Sequence, residues 1–178
     1  MKNIFFIYIY GAIIILEGVF LLFSKNFTFN TTKYALGIGL IIGAILAITT
    51  AFTSQRKKVK LVYHEIHALA MFIYGISILL FANNTAIFTE ITAFFLLFYA
   101  FSEIIFCNLL FNLENKVKFN ILFIRIFLGL VVGVGTIFSM SYSAIDKAIV
   151  MQGYGILFGI IGFNTLIYEP IMTNEGVE

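Results

Sequence analysis

The sequence has no tryptophan, one proline and one cysteine among 178 residues, and only 11% of its residues carry a charge. Each shortage excludes something. Without Trp, any aromatic belt at a lipid headgroup must be built from the 9 Tyr and 22 Phe. The single proline, Pro170, falls after the apolar runs and leaves them free of proline kinks. A lone cysteine, Cys107, cannot form an internal disulfide, and inside an apolar run it reads as a small buried hydrophobe. A soluble domain carries about 25% charged residues, so this chain is no ordinary soluble protein. Phosphate-binding loops, nucleophile elbows, dinucleotide fingerprints and cysteine pairs are missing too. No enzymatic activity, catalytic residue, cofactor or nucleic-acid partner is therefore expected.

What is present is hydrophobic. Apolar residues make up 61% of the chain, with a mean hydropathy of +1.04. A helix rises about 1.5 Å per residue and the bilayer core is about 30 Å thick, so a span needs roughly 20 apolar residues. Six segments meet that length: 4–23, 35–53, 62–82, 86–111, 119–140 and 145–167. The first has a longer apolar stretch than a signal peptide and no small-residue cleavage site, so it is expected to be retained. The reading is all-α, a polytopic membrane protein whose principal partner is the lipid bilayer. The connections are too short to hold a soluble domain.

Positive charge is unevenly divided among these connections. Lys2, Arg56, Lys57, Lys58, Lys60, Lys116 and Lys118 fall on one side, against Lys25, Lys33 and Lys147 on the other. Cytoplasmic loops are enriched in Lys and Arg, which places both termini in the cytoplasm. A bias towards Ile, Phe, Asn and Lys suits an AT-rich bacterial coding sequence, and hence the bacterial inner membrane.

The chain also repeats itself. "GVFLLFS" at Gly18, "GISILLFA" at Gly75 and "GVGTIFS" at Gly133 recur at steps of 57 and 58 residues. The helices that follow align at Gly43, Ala100 and Gly159. This predicts one domain of three parallel-repeated helical hairpins, approximately 1–56, 57–114 and 115–178, around an axis along the membrane normal. With "GIGLIIGAILAITTAFTSQR" closing the first hairpin ahead of a basic loop, the chain resembles the HdeD-like family of small bacterial inner-membrane proteins. That resemblance implies a three-repeat membrane domain, an association with acid stress and no catalytic residues to carry over. The sequence departs from the family pattern where a proline often follows the odd helices: Ser24, Ala82 and Ser139 stand near that point.

Three GxxxG patterns, Gly39 with Gly43, Gly129 with Gly133 and Gly155 with Gly159, mark faces where helices can approach closely. Packing inside one subunit is the favoured use, with a homo-oligomer seam as the alternative. Charge within a span is costly and asks for a reason. Glu103 and Arg125 fall on consecutive helices, both roughly 7 Å to the cytoplasmic side of the midplane, and His67 lies at a similar level. Two roles suit them: a clamp that sets helix register, or a gate or proton relay completed by His67. Arg125, His67 and Tyr10 occupy equivalent repeat positions, so all three are expected to point towards one axis. In the outer half, Glu17 and Gln152 lie at similar heights, near Ser77 and Tyr154. Glu17 is either a proton-binding group or the hydrogen-bond partner of Gln152.

The string "HEIH", containing His64, Glu65 and His67, suggests a metal site at first sight. A zincin spaces its histidines four apart, and here the interval is three. No further ligand lies nearby in sequence, so no metal is expected, and His64 with Glu65 reads as the polar edge of a span. Two functions remain in view. One is a non-enzymatic membrane protein concerned with the envelope or acid stress, by resemblance. The other is a small transporter or channel with an intramembrane polar site, its ion or small-molecule substrate unspecified.

Overall fold

The structure, a computed structural model, describes residues 4–53, 60–113, 119–142 and 146–167. These residues form six α-helices and a short 3-10 turn at Ser24–Asn26. The helices are α1 (Ile4–Leu22), α2 (Phe29–Thr53), α3 (Lys60–Phe81), α4 (Thr85–Leu113), α5 (Phe119–Tyr142) and α6 (Lys147–Leu166). No strand occurs among the described residues. Most of the basic residues that set the expected orientation, Lys2, Arg56, Lys57, Lys58, Lys116 and Lys118, lie outside the described residues.

Each even helix begins with a side chain that satisfies its first amide groups, which otherwise have no partner inside the helix. Thr28 Oγ1 accepts from the Thr31 N–H at 3.2 Å, Asn84 Oδ1 from Ile87 N–H at 3.0 Å, and Asp146 Oδ1 from Ala148 N–H at 2.8 Å. The cap at Thr28 explains why α2 starts at Phe29 and not near residue 35: "FNTT" reads as a polar loop, yet it forms the first turn.

The helices stand in a ring in chain order, each beside the next, and α6 returns to α1. The closest pairs are α1 with α6, α2 with α3, and α4 with α5; the α3–α4 seam is the loosest among ring neighbours. Glycine makes the close pairs possible. A Cβ on Gly18 would stand 2.6 Å from the Gly155 carbonyl, and one on Gly162 would stand 2.8 Å from that of Gly11. The backbones of α1 and α6 thus meet at two points seven residues apart along each helix. Across the α2–α3 seam, a Cβ on Gly75 would lie 2.8 Å from the Gly37 carbonyl. Small residues at such points allow dispersion contacts between backbones, which drive association where lipid offers no hydrophobic gain.

The apolar surface of the described residues suits a lipid bilayer. Large side chains such as Leu16, Phe94, Phe101, Phe123, Val134 and Phe138 are exposed, while Glu103, Arg125, His67 and Glu17 are buried. Scattered exposed apolar residues need no explanation, but an apolar exterior around a charged interior does. Four segments are long and apolar enough to cross a membrane: Phe29–Thr49, Thr85–Asn108, Asn120–Ser141 and Lys147–Leu166. In α1 and α3 the described apolar stretches are shorter, Tyr8–Leu22 and Ile66–Phe81.

Candidate functional site: two buried polar layers

The polar interior divides into two layers. One lies towards the end of the bundle away from the α3–α4 turn. There Arg125 of α5 is 1% exposed and Glu103 of α4 is fully buried. Arg125 Nε donates to Glu103 Oε1 at 2.7 Å, and its Nη2 approaches the same oxygen at 2.6 Å. A third donor, Nη1, reaches the Asn164 backbone carbonyl of α6 at 3.1 Å. One guanidinium therefore ties three helices together. Its planar set of donors suits this in a way a lysine ammonium would not. The Phe106 ring lies 5.9 Å from the guanidinium carbon, and the Cys107 thiol points at Glu103 Oε1 from 3.5 Å.

Gly129 of α5 leaves room for this arrangement, since a Cβ there would sit 3.3 Å from Glu103 Cγ. One turn on, a Cβ at Gly133 would stand 3.3 Å from that of Ala100. This GxxxG face thus admits Glu103 and draws α4 onto α5.

Aromatic and amide groups extend the layer. The Asn164 side chain donates from Nδ2 to the Tyr99 hydroxyl at 2.7 Å. The Tyr99 ring meets the His67 imidazole edge-on at 5.2 Å, and Tyr10 meets His67 edge-on at 6.0 Å. Tyr10 in turn donates its hydroxyl to Met71 Sδ at 2.7 Å, and both lie against Gly43, whose missing side chain leaves them space. Tyr10, His67 and Arg125 are all buried, and His67 lies within electrostatic reach of both Glu103 and Arg125. Tyr10, His67 and Arg125, expected at matching repeat positions, thus lie in one layer.

The second layer lies nearer the α3–α4 turn. Glu17 of α1 is 7% exposed, and neither carboxyl oxygen has a hydrogen-bond partner among the described residues. Its carboxyl occupies the space over Gly39 of α2, where an added Cβ would collide with Glu17 Oε1. Gly39 is therefore a socket for a carboxyl group and not a seam between backbones. Close by, Tyr74 donates to Thr92 Oγ1 at 2.8 Å, and the Thr92 hydroxyl donates in turn to the Phe88 carbonyl at 2.7 Å. The Tyr74 ring stacks on Phe95 at 4.3 Å, and Phe158 closes the layer at 6.1 Å from Phe95.

The expected bond between Glu17 and Gln152 is not made. Gln152 Nε2 donates instead to the Leu22 carbonyl at 3.2 Å. Leu22 ends α1, and the last carbonyls of a helix have no partner within it, so this acceptor competes successfully for the amide. Gly155 packs against α1, as above, but a Cβ on Gly159 would meet nothing among the described residues within 4 Å. The Gly155–Gly159 pattern thus contributes its first glycine as a contact point, while Gly159 offers only its backbone, 2.8 Å from a Cβ placed on Gly18. The side chains of His64 and Glu65 lie outside the described residues.

Tyr99 and Asn164 escape a reading that looks for charge alone. Asn164 had a signal, an amide inside the apolar run "GIIGFNTLIY", because uncharged polar groups also seek partners in lipid. Neither family models, curated proteins nor solved structures give a match to this chain.

Proposed function

We propose that this chain is a non-enzymatic integral membrane protein of the HdeD-like kind, supporting the bacterial envelope under acid or related stress. In this reading all six helices cross the cytoplasmic membrane, with both termini on the cytoplasmic side. Helices α1 and α3 have 19 and 22 residues, each enough for about 30 Å, and they alternate in the ring with helices that meet the spanning criteria. The glycines at 18, 75 and 133 all lie in odd helices, and each faces the even helix that precedes it around the ring. This recurrence supports a parallel threefold repeat.

The observation that carries the reading is the state of Arg125 and Glu103. Their charges are spent on each other and on the Asn164 carbonyl, inside a layer of packed rings. That is the arrangement of a clamp that fixes register between helices. A strain lacking the gene is expected to survive acid or envelope stress less well than its parent, with recovery on complementation by the wild-type chain. Unchanged survival across such challenges would remove the proposal.

A second reading has its own support in Glu17, whose carboxyl is buried without a hydrogen-bond partner among the described residues. Intramembrane carboxyl groups commonly mark ion or proton pathways. In this reading the protein carries protons or a proton-linked solute through the half of the bundle near Glu17. Vesicles containing the purified protein then show a flux that Glu17→Gln abolishes; no flux with a panel of ions and small solutes eliminates it.

A further inference from the structure

The loosest seam in the ring has a shape of its own. Between α3 and α4 lies a groove of about 660 Å³, within the range of roughly 300–1,000 Å³ typical of small-molecule sites. It extends from Ala70 to Phe81 on α3 and from Ile87 to Phe98 on α4. Eleven residues of helix rise about 16 Å, close to half of a bilayer core about 30 Å thick. No glycine lines it, so the two backbones stay apart, and the Phe81, Phe94 and Phe98 rings form its walls. Tyr74 and Phe95, stacked on one another, close it on the bundle side, and the Tyr74 hydroxyl is already committed to Thr92.

Polarity in the groove is confined to one part of it. Glu90, one turn into the groove from Ile87, is exposed, and Ser77 lies on the facing helix. We propose that this groove binds one acyl chain of an aminophospholipid from the leaflet on the α3–α4 turn side, with the lipid ammonium group at Glu90. The groove's length matches the depth of one leaflet, its walls are apolar, and its charge is opposite to that of a primary ammonium headgroup. An anionic phospholipid of the same chain length fits the walls equally well but meets a like charge.

The test compares phosphatidylethanolamine with phosphatidylglycerol of identical acyl chains, offered to the full-length protein in equimolar mixed micelles. Bound lipid is then counted by native mass spectrometry. The wild-type protein retains phosphatidylethanolamine about two- to fivefold better, the range of a single exposed ion pair. Glu90→Gln keeps total retention and loses the preference. Ser77→Phe, which puts a ring into the groove, loses retention of both lipids while circular dichroism shows unchanged helix content. Equal retention by the wild type, a preference that survives in Glu90→Gln, or a second protein copy bound in place of lipid would each overturn the proposal.

Discussion

Glu103 and Glu17 are both buried carboxyl groups within one helical bundle, and both rest against a glycine of a neighbouring helix. Glu103 accepts two contacts from Arg125 and lies among His67, Tyr99 and Asn164. Glu17 accepts no hydrogen bond among the described residues, and the Gly39 beneath its carboxyl contributes only space. The difference teaches that depth alone does not make an acidic residue part of a network. A partner must come from a helix at the same height. At the level of Glu103 the ring supplies an arginine; the amide expected to meet Glu17, Gln152, is taken by the end of α1.

The sharpest way to break the contrast is to strand Glu103. Arg125→Met leaves an enclosed carboxyl without its countercharge, and a loss of about 3–5 kcal/mol in unfolding free energy is expected. Adding Glu103→Leu to that variant recovers most of the loss, because removing both members of a buried pair costs far less than removing one. Both values come from reversible unfolding in mixed micelles followed by circular dichroism. A double variant as unstable as the single one would mean that the pair is not the unit of stability.

Gly39→Ala tests the socket. The new methyl group meets the Glu17 carboxyl, and overpacking of this kind costs about 1–3 kcal/mol. Glu17→Ala in the same chain relieves it, whereas a cost that persists in the double variant would place the strain elsewhere. A smaller effect, about 1–2 kcal/mol, is expected for Tyr99→Phe, which leaves the Asn164 amide without its acceptor. Smallest of all is Glu17→Gln. It keeps the shape and breaks no hydrogen bond among the described residues, so stability changes by less than about 1 kcal/mol, and a larger loss would reveal a partner for the carboxyl.

Much of this layout was legible in the sequence, for physical reasons. Long apolar runs can only be helices in lipid, because every backbone group must find a partner within the segment. The recurrence of glycines 57 and 58 residues apart puts Tyr10, His67 and Arg125 at matching positions of the expected repeat, and the three side chains lie in one buried layer. Charge at equal depth identified Glu103 and Arg125. The tightest seam was harder to read, because GxxxG spacing looks for glycines four apart on one helix. Here Gly11 and Gly18 on α1, and Gly155 and Gly162 on α6, are seven apart and matter only as pairs between helices. The expected bond from Gln152 to Glu17 failed for a related reason: the competing acceptor, a free carbonyl at a helix end, is a backbone group that the side-chain sequence does not display.

The closest contact in the ring joins the first described helix to the last, and this constrains how the protein is made. About 125 residues separate Leu22 from Lys147. At a translation rate of about 5–20 residues per second, α1 waits on the order of 6–25 s for α6 to be synthesised. During that interval the glycine face of α1 lies open to lipid or to whatever escorts nascent helices. Ring closure is consequently a late event in biogenesis, and a ribosome that stops before α6 leaves an open arc whose first helix has lost its main neighbour.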